Sequence, residues 1–105
     1  MKRIFLIVLD SFGIGNAPDA ADFGDKGSDT LRAVAQSKAF CVPNLQKLGL
    51  FQIEGTPGPK EGNAAGAFGR MTEASRGKDT TIGHWEIAGI HSPKPLPVYP
   101  HGFPK

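Results

Sequence analysis

The strongest hydrophobic signal in the chain is an unbroken run at residues 4–9, IFLIVL, closed by the polar Asp10. A continuous, β-branched-rich run of this length predicts a central strand buried on both faces. Further along, the apolar positions fall at helical intervals. Leu31, Val34 and Ala35 predict a helix over residues 30–37, capped by Ser28 or Asp29. Pro43 is placed to open a second short helix over residues 44–48, with Gly49 as its stop. Leu45, Leu48 and Leu50 are then expected to pack on the sheet. Residues 67–73, AFGRMTE, alternate loosely at Phe68 and Met71 and predict another strand. The stretch at residues 75–89, SRGKDTTIGHWEIAG, passes from small, polar and basic residues to an apolar pattern. In it Ile82, Trp85 and Ala88 follow one another in steps of three and share one face, so Asp79 or Thr80 begins a helix.

The segments between are loops by composition. Residues 55–66, GTPGPKEGNAAG, form a loop expected to be mobile and variable in length. The last fourteen residues carry five prolines, which excludes a regular helix and predicts an extended linker. Glycine and proline number 14 and 9, about a fifth of the 105 residues. With so few regular elements, one small domain with a thin core and marginal stability is expected. A strand at residues 4–9 without neighbours on both sides would invite association.

Charge narrows the possible partners. Twelve Lys plus Arg stand against ten Asp plus Glu, and no basic run is longer than Lys2–Arg3. That argues against a nucleic-acid stripe and against a polybasic membrane patch. The six-residue apolar run is too short to span a bilayer and lacks the form of a secretory signal, so a soluble, cytoplasmic protein is expected. The single cysteine, Cys41, has no internal disulfide partner and is expected to be a small buried hydrophobe.

Two places carry candidate chemistry. Asp10 follows the predicted strand, where ligands gather in α/β sheets, and its carboxylate suits Mg²⁺ or Mn²⁺. The alternative is that Asp10 only caps a turn. A dinucleotide-binding loop after the strand is excluded, because Pro18 stands at the third glycine position and Asp10 brings negative charge to the pyrophosphate site. Asp19, Asp22, Asp25 and Asp29 lack the spacing of a calcium loop and are better explained as turn and cap residues. The second place is the start of the 75–89 helix. Helix starts favour phosphate, and Arg76 and Lys78 lie just before the hydroxyls of Thr80 and Thr81. A hydroxyl held there can act as a nucleophile, or Thr80 and Asp79 can simply be caps. His84 either lines this site or packs beside it; His91 and His101, in the linker, are expected to be solvated.

The segments IVLDSFGIGNAPDAADFGDKGSDTL, LGL and GKDTTIGHWEIAG resemble, in that order, the N-terminal part of the phosphopentomutase family, within the alkaline phosphatase superfamily. GKDT followed by GHWEIAG is the specific part of the resemblance; DSFGIG alone would be weak. The resemblance implies an α/β fold, the N-terminal part of an alkaline phosphatase-like core in which a mostly parallel sheet is flanked by helices. Residues 1–97 would belong to that metal-binding core and residues 98–105 would lead towards a cap domain. It implies that Thr80 is the phosphorylated carrier and a metal-site residue, and that Asp10 binds one of two Mn²⁺ ions, with Mg²⁺ as the alternative. Lys78 and His84 would contact phosphate or substrate. The reaction implied interconverts ribose 1-phosphate, or its 2-deoxy form, with the 5-phosphate through a bisphosphate, which also serves as activator.

Members of that family are several times longer, and their remaining Asp and His ligands and their cap come from later in the chain. The expectation is therefore a truncated enzyme fragment. The competing expectation is a non-catalytic remnant, a small α/β interaction module that keeps the motif without the activity.

Overall fold

The structure is a computed structural model that describes residues 1–104. Lys105, the last residue of the expected linker, lies outside the described residues. The chain divides into two compact units, Met1–Met71 and Thr72–Lys105. The described residues form three short helices, α1 (Thr30–Val34), α2 (Pro43–Leu48) and α3 (Thr80–Ile87), and two single 3₁₀ turns, Ala20–Phe23 and Leu50–Gln52. No strand is formed among them.

The predicted strand at residues 4–9 is therefore corrected. Its six side chains are all exposed, from 42% at Val8 to 96% at Ile4. The reason is that a strand is stabilised by a neighbour that takes its N–H and C=O groups and covers its faces. The described residues supply no such neighbour. The same correction applies to residues 67–73, where Phe68 and Met71 are exposed. With no sheet to pack on, Leu45 and Leu48 are also exposed, at 44% and 52%.

Within the first unit, local signals explain what does form. Asp29 caps α1, its Oδ1 accepting the backbone N–H of Arg32 at 2.9 Å, while Arg32 Nε donates to Oδ2 at 3.2 Å. The helix stops at Val34 rather than reaching Ser37, because the next N–H groups turn to carbonyls three residues back, Gln36 to Ala33 and Ser37 to Val34. Leu31 is 1% exposed and its N–H donates to the Gly13 carbonyl at 3.1 Å, which ties α1 to the 11–13 segment. Ser28 Oγ donates to Asp25 at 3.0 Å, so this carboxylate too serves a turn. Pro43 opens α2 and Gly49 ends it in the left-handed region, φ 110°, where a side chain would be strained. Phe51, 6% exposed, meets Phe40 edge-on and lies against Gly58. The 55–66 loop is tied back along its length: Arg32 Nη2 donates to the Gly55 carbonyl at 2.9 Å, Thr56 Oγ1 to the Ile53 carbonyl at 2.7 Å, Gln52 Nε2 to the Gly62 carbonyl at 3.2 Å, and Ala65 N–H to the Lys47 carbonyl at 2.8 Å. Cys41 is exposed, not buried, beside an open cavity of about 310 Å³ lined by Phe40, Val42, Phe51 and Pro57 among others.

In the second unit the buried residues are Ile82, at 0%, Ser75, at 2%, and Gly77. Beyond α3, Gly102 closes a turn on the Tyr99 carbonyl, and the Tyr99 and Phe103 rings lie 4.9 Å apart, tilted at 45°. Buried apolar residues in the whole description are Ala20, Leu31, Phe51 and Ile82. The accessible surface is 8852 Å², against about 5,700 Å² for a folded monomer of this mass, so the thin core expected from composition is what forms.

The Asp29 cap leads to a pH-dependent prediction. Its carboxyl is held below the ordinary value, chiefly by the Arg32 backbone N–H, with burial opposing and the Gly15 N–H assisting. A depressed carboxyl stabilises the fold above its unfolded pKa of about 4, and that contribution is lost as pH falls through the folded value. Asp29→Ala is expected to lower stability by about 1 kcal/mol at pH 7. In melts followed by circular dichroism, the gap between the two proteins should narrow as pH falls through the folded-state value, which lies below the ordinary carboxyl range. A gap that stays the same size from pH 7 down to the most acid pH at which both proteins remain folded would rule out the ionised cap.

Candidate functional site

Asp10 sits in a tight turn that follows the 4–9 segment, closed by Phe12 N–H donating to the Leu9 carbonyl at 3.2 Å. The next residue, Ser11, has φ 56°, the one non-glycine residue in the left-handed region among those described. Such a conformation costs about 1 kcal/mol or more for a serine and turns the chain sharply just after Asp10. Thr30 Oγ1 donates to the Ser11 carbonyl at 3.4 Å. The Asp10 carboxylate is exposed. Both readings of Asp10 are compatible with this geometry.

The helix start in the second unit is resolved between the two alternatives. Asp79 is the cap, with extended backbone at φ −116° and ψ 157°, and its Oδ1 accepts the Ile82 N–H at 3.0 Å. Thr80 is the first helical residue and Thr81 the second; both are exposed. Ile82 anchors the helix, but the rest of the expected apolar face does not follow it inward. Trp85 is 42% exposed, and Ala88 is exposed as well. An eight-residue helix resting on one buried side chain is all this unit can cover.

Lys78 is engaged with a carboxylate. Its Nζ lies 3.2 Å from Glu73, in a pair whose side chains are about a quarter exposed. His84 Nδ1 is 2.8 Å from the Thr80 carbonyl. Because a carbonyl only accepts, this contact calls for the Nδ1–H form, with the Nε2 edge turned away from that bond. The ring is exposed, so His84 stands beside Thr80 rather than in a core. His91 Nε2 lies 3.1 Å from the Ala74 carbonyl, and is tied to the chain more than the linker reading expects.

Asp10 belongs to the first unit, and Lys78, Thr80 and His84 to the second. Among the described residues no group of three or more His, Cys, Asp or Glu side chains could hold a metal ion. No buried side-chain nitrogen or oxygen among them lacks a hydrogen-bond partner either. The described residues therefore do not form a metal shell by themselves. No described helix is long and apolar enough to cross a membrane.

Sequence reasoning missed Glu86. Its carboxylate accepts the Ala74 N–H at 2.8 Å and the Ser75 N–H at 2.7 Å. Its carboxyl is held below the ordinary value, first by the Ser75 hydroxyl, then by these two N–H groups, with burial opposing and His91 adding a smaller favourable charge. The only available signal was an acidic residue at the end of a helix, where the dipole disfavours it.

No family model matches the chain. Its relatives are more informative. The phosphopentomutase of Lachnoclostridium phytofermentans is 59% identical over 107 residues, an alignment that takes in all of this chain and 27% of that protein. The phosphopentomutase of Acetivibrio thermocellus is 55% identical over all of this chain and 28% of its own length. The phosphopentomutase of Dictyoglomus thermophilum is 55% identical over all of this chain and 27% of its length. The chain thus spans just over a quarter of the curated relatives it matches, and across its whole length it is similar to phosphopentomutases.

Proposed function

We propose that this chain supplies the N-terminal part of a phosphopentomutase, an isomerase that moves a phosphoryl group between the 1- and 5-oxygens of ribose or 2-deoxyribose. The observation that carries the reading is 55–59% identity, along alignments that take in the whole chain, to proteins of that name. In this reading Thr80 Oγ1 carries the phosphoryl group. It gives the group to the free hydroxyl of a pentose monophosphate, forming a bisphosphate, and takes back the phosphoryl group from the other end. The helix start favours this, since its first N–H groups lack intrahelical partners and carry the positive end of the dipole. Lys78 and His84 flank Thr80 and are the proposed phosphate or substrate contacts.

The finer architecture is part of the same proposal. Residues 1–97 would form the N-terminal portion of an α/β, alkaline phosphatase-like core that this chain leaves incomplete, with residues 4–9 as a strand once paired, and residues 98–105 would lead to a cap. Asp10 and Thr80 would contribute to a Mn²⁺ centre, or Mg²⁺ in its place, whose other ligands lie outside these 105 residues. When bound, the metal supplies positive charge for the phosphoryl oxygens. A bisphosphate would prime the threonine, and a cytoplasmic setting suits a pentose phosphate substrate. The competing reading, for the chain on its own, is a non-catalytic module that keeps the motif without the activity.

The test is a chimera in which these 105 residues replace the matching segment of the Lachnoclostridium phytofermentans enzyme. Mutase turnover is expected. Asp10→Ala in the chimera should lose one equivalent of Mn²⁺ and lower kcat by more than about a hundredfold, the upper range for residues one shell further out. Unchanged metal stoichiometry would remove Asp10 from the centre, and an inert chimera that folds would favour the non-catalytic reading.

A further inference from the structure

We propose that Glu86 is a positioning residue for Thr80: its carboxylate clamps the 74–79 segment along α3 and so fixes where the helix begins. The inference rests on the reading of Thr80 as the phosphoryl carrier.

The geometry is that of a strap laid back along a helix. Glu86 stands near the end of α3, six residues beyond Thr80, which is about 9 Å along the axis. Its two carboxylate oxygens take the N–H groups of Ala74 and Ser75, at 2.8 and 2.7 Å. Three contacts then follow in antiparallel order. Ser75 is held beside Glu86 at one end. In the middle, buried Gly77 lies so close to Ile82 that any Cβ there would collide with that side chain. At the other end Asp79 caps the helix through Ile82 N–H. The chain from Ser75 to Thr80 therefore retraces the helix from its last turn to its first. Its path is set by one carboxylate, one glycine and one cap.

The far side of the strap is also held. Ser75 Oγ accepts the Ser92 N–H at 3.0 Å, and Arg76 N–H donates to the Ser92 carbonyl at 3.1 Å. Ser75, 2% exposed, is the point where α3, the strap and the 91–92 segment meet. Bonds from backbone N–H to a carboxylate are charge-assisted and stronger than neutral ones. Removing the carboxylate leaves two N–H groups unpaired beside a buried serine, and the strap that carries Lys78 and leads into Thr80 loses its upstream anchor.

Two measurements test this. The first is amide hydrogen exchange by NMR in the 105-residue chain. The Ala74 and Ser75 amides should be protected, and Glu86→Ala should speed their exchange about tenfold or more, the loss expected for hydrogen bonds to a charged group. Glu86→Gln, which keeps one acceptor oxygen, should fall between. Unprotected amides in the unsubstituted chain, or equal rates in all three proteins, would overturn the proposal. The second is turnover of the chimera per mole of phosphorylated Thr80, a quantity that loss of folded protein does not move. Glu86→Ala should lower it about tenfold with KM within about twofold, as misplacement of a reacting group does, and Glu86→Gln should recover part of the loss. An unchanged value would overturn the positioning role. Full turnover in a Thr80→Ala chimera would sink the carrier reading instead, while the exchange rates still decide whether Glu86 holds the strap.

Discussion

Replacing Thr80 by alanine is expected to abolish phosphoryl labelling of the chimera and to lower mutase turnover by about 10⁴-fold or more, as loss of a covalent nucleophile does. Thr81→Ala should leave labelling in place. The distinction follows from where the two residues stand. Thr80 is the first residue of α3, directly after the cap, whereas Thr81 is already inside the first turn. The cap itself is spent on the third residue, Ile82, at 3.0 Å. A phosphate on Thr80 also meets the Asp79 carboxylate at the same helix start, and like charges at that distance repel unless cations neutralise them. Lys78, already 3.2 Å from Glu73, brings one positive charge to this neighbourhood, and the phosphate needs more. The 105-residue chain incubated alone with a pentose bisphosphate should therefore retain no stable label, while the chimera with Mn²⁺ should. Phosphopeptide mapping decides both points. Phosphate on Thr81 or Ser75, or full turnover in Thr80→Ala, would overturn the mechanism.

Ile82→Ala is expected to unfold the second unit. Ile82 is the one buried apolar side chain described in that unit, at 0% exposure. Truncating a fully buried isoleucine costs about 2–5 kcal/mol, from lost transfer energy and the cavity left behind. Whole domains are stable by only about 5–15 kcal/mol, and a unit with so small a core lies below that range. Gly77 sits against Ile82, so the strap would lose its support together with the helix. Ile87→Ala removes an apolar side chain from the same helix, but one that is 54% exposed, and should cost well under half as much. Urea titration followed by the fluorescence of Trp85, the only tryptophan, would separate the two. Equal shifts in midpoint for both variants would mean that the unit is not organised around Ile82.

The elements legible in the sequence are those whose causes lie within a few residues. Asp29 and Asp79 cap helices because a short carboxylate reaches an N–H three positions on, and that reach is independent of the rest of the fold. Pro43 and Gly49 bracket α2 for equally local reasons, a preset φ at one end and a left-handed φ at the other. Tertiary structure decided the rest. Residues 4–9 carry a strand pattern, but a strand exists only when another segment takes its hydrogen bonds, and no described segment does. Leu45 and Leu48 were expected to pack on a sheet and stand exposed because no described strand offers one, and Cys41, expected inside, is exposed as well. Lys78 was read as a cation facing the helix start, yet its pairing with Glu73 depends on how the strap folds back. The Glu86 clamp joins residues eleven and twelve positions apart through backbone N–H groups, which every residue but proline carries, so no side-chain pattern could announce it.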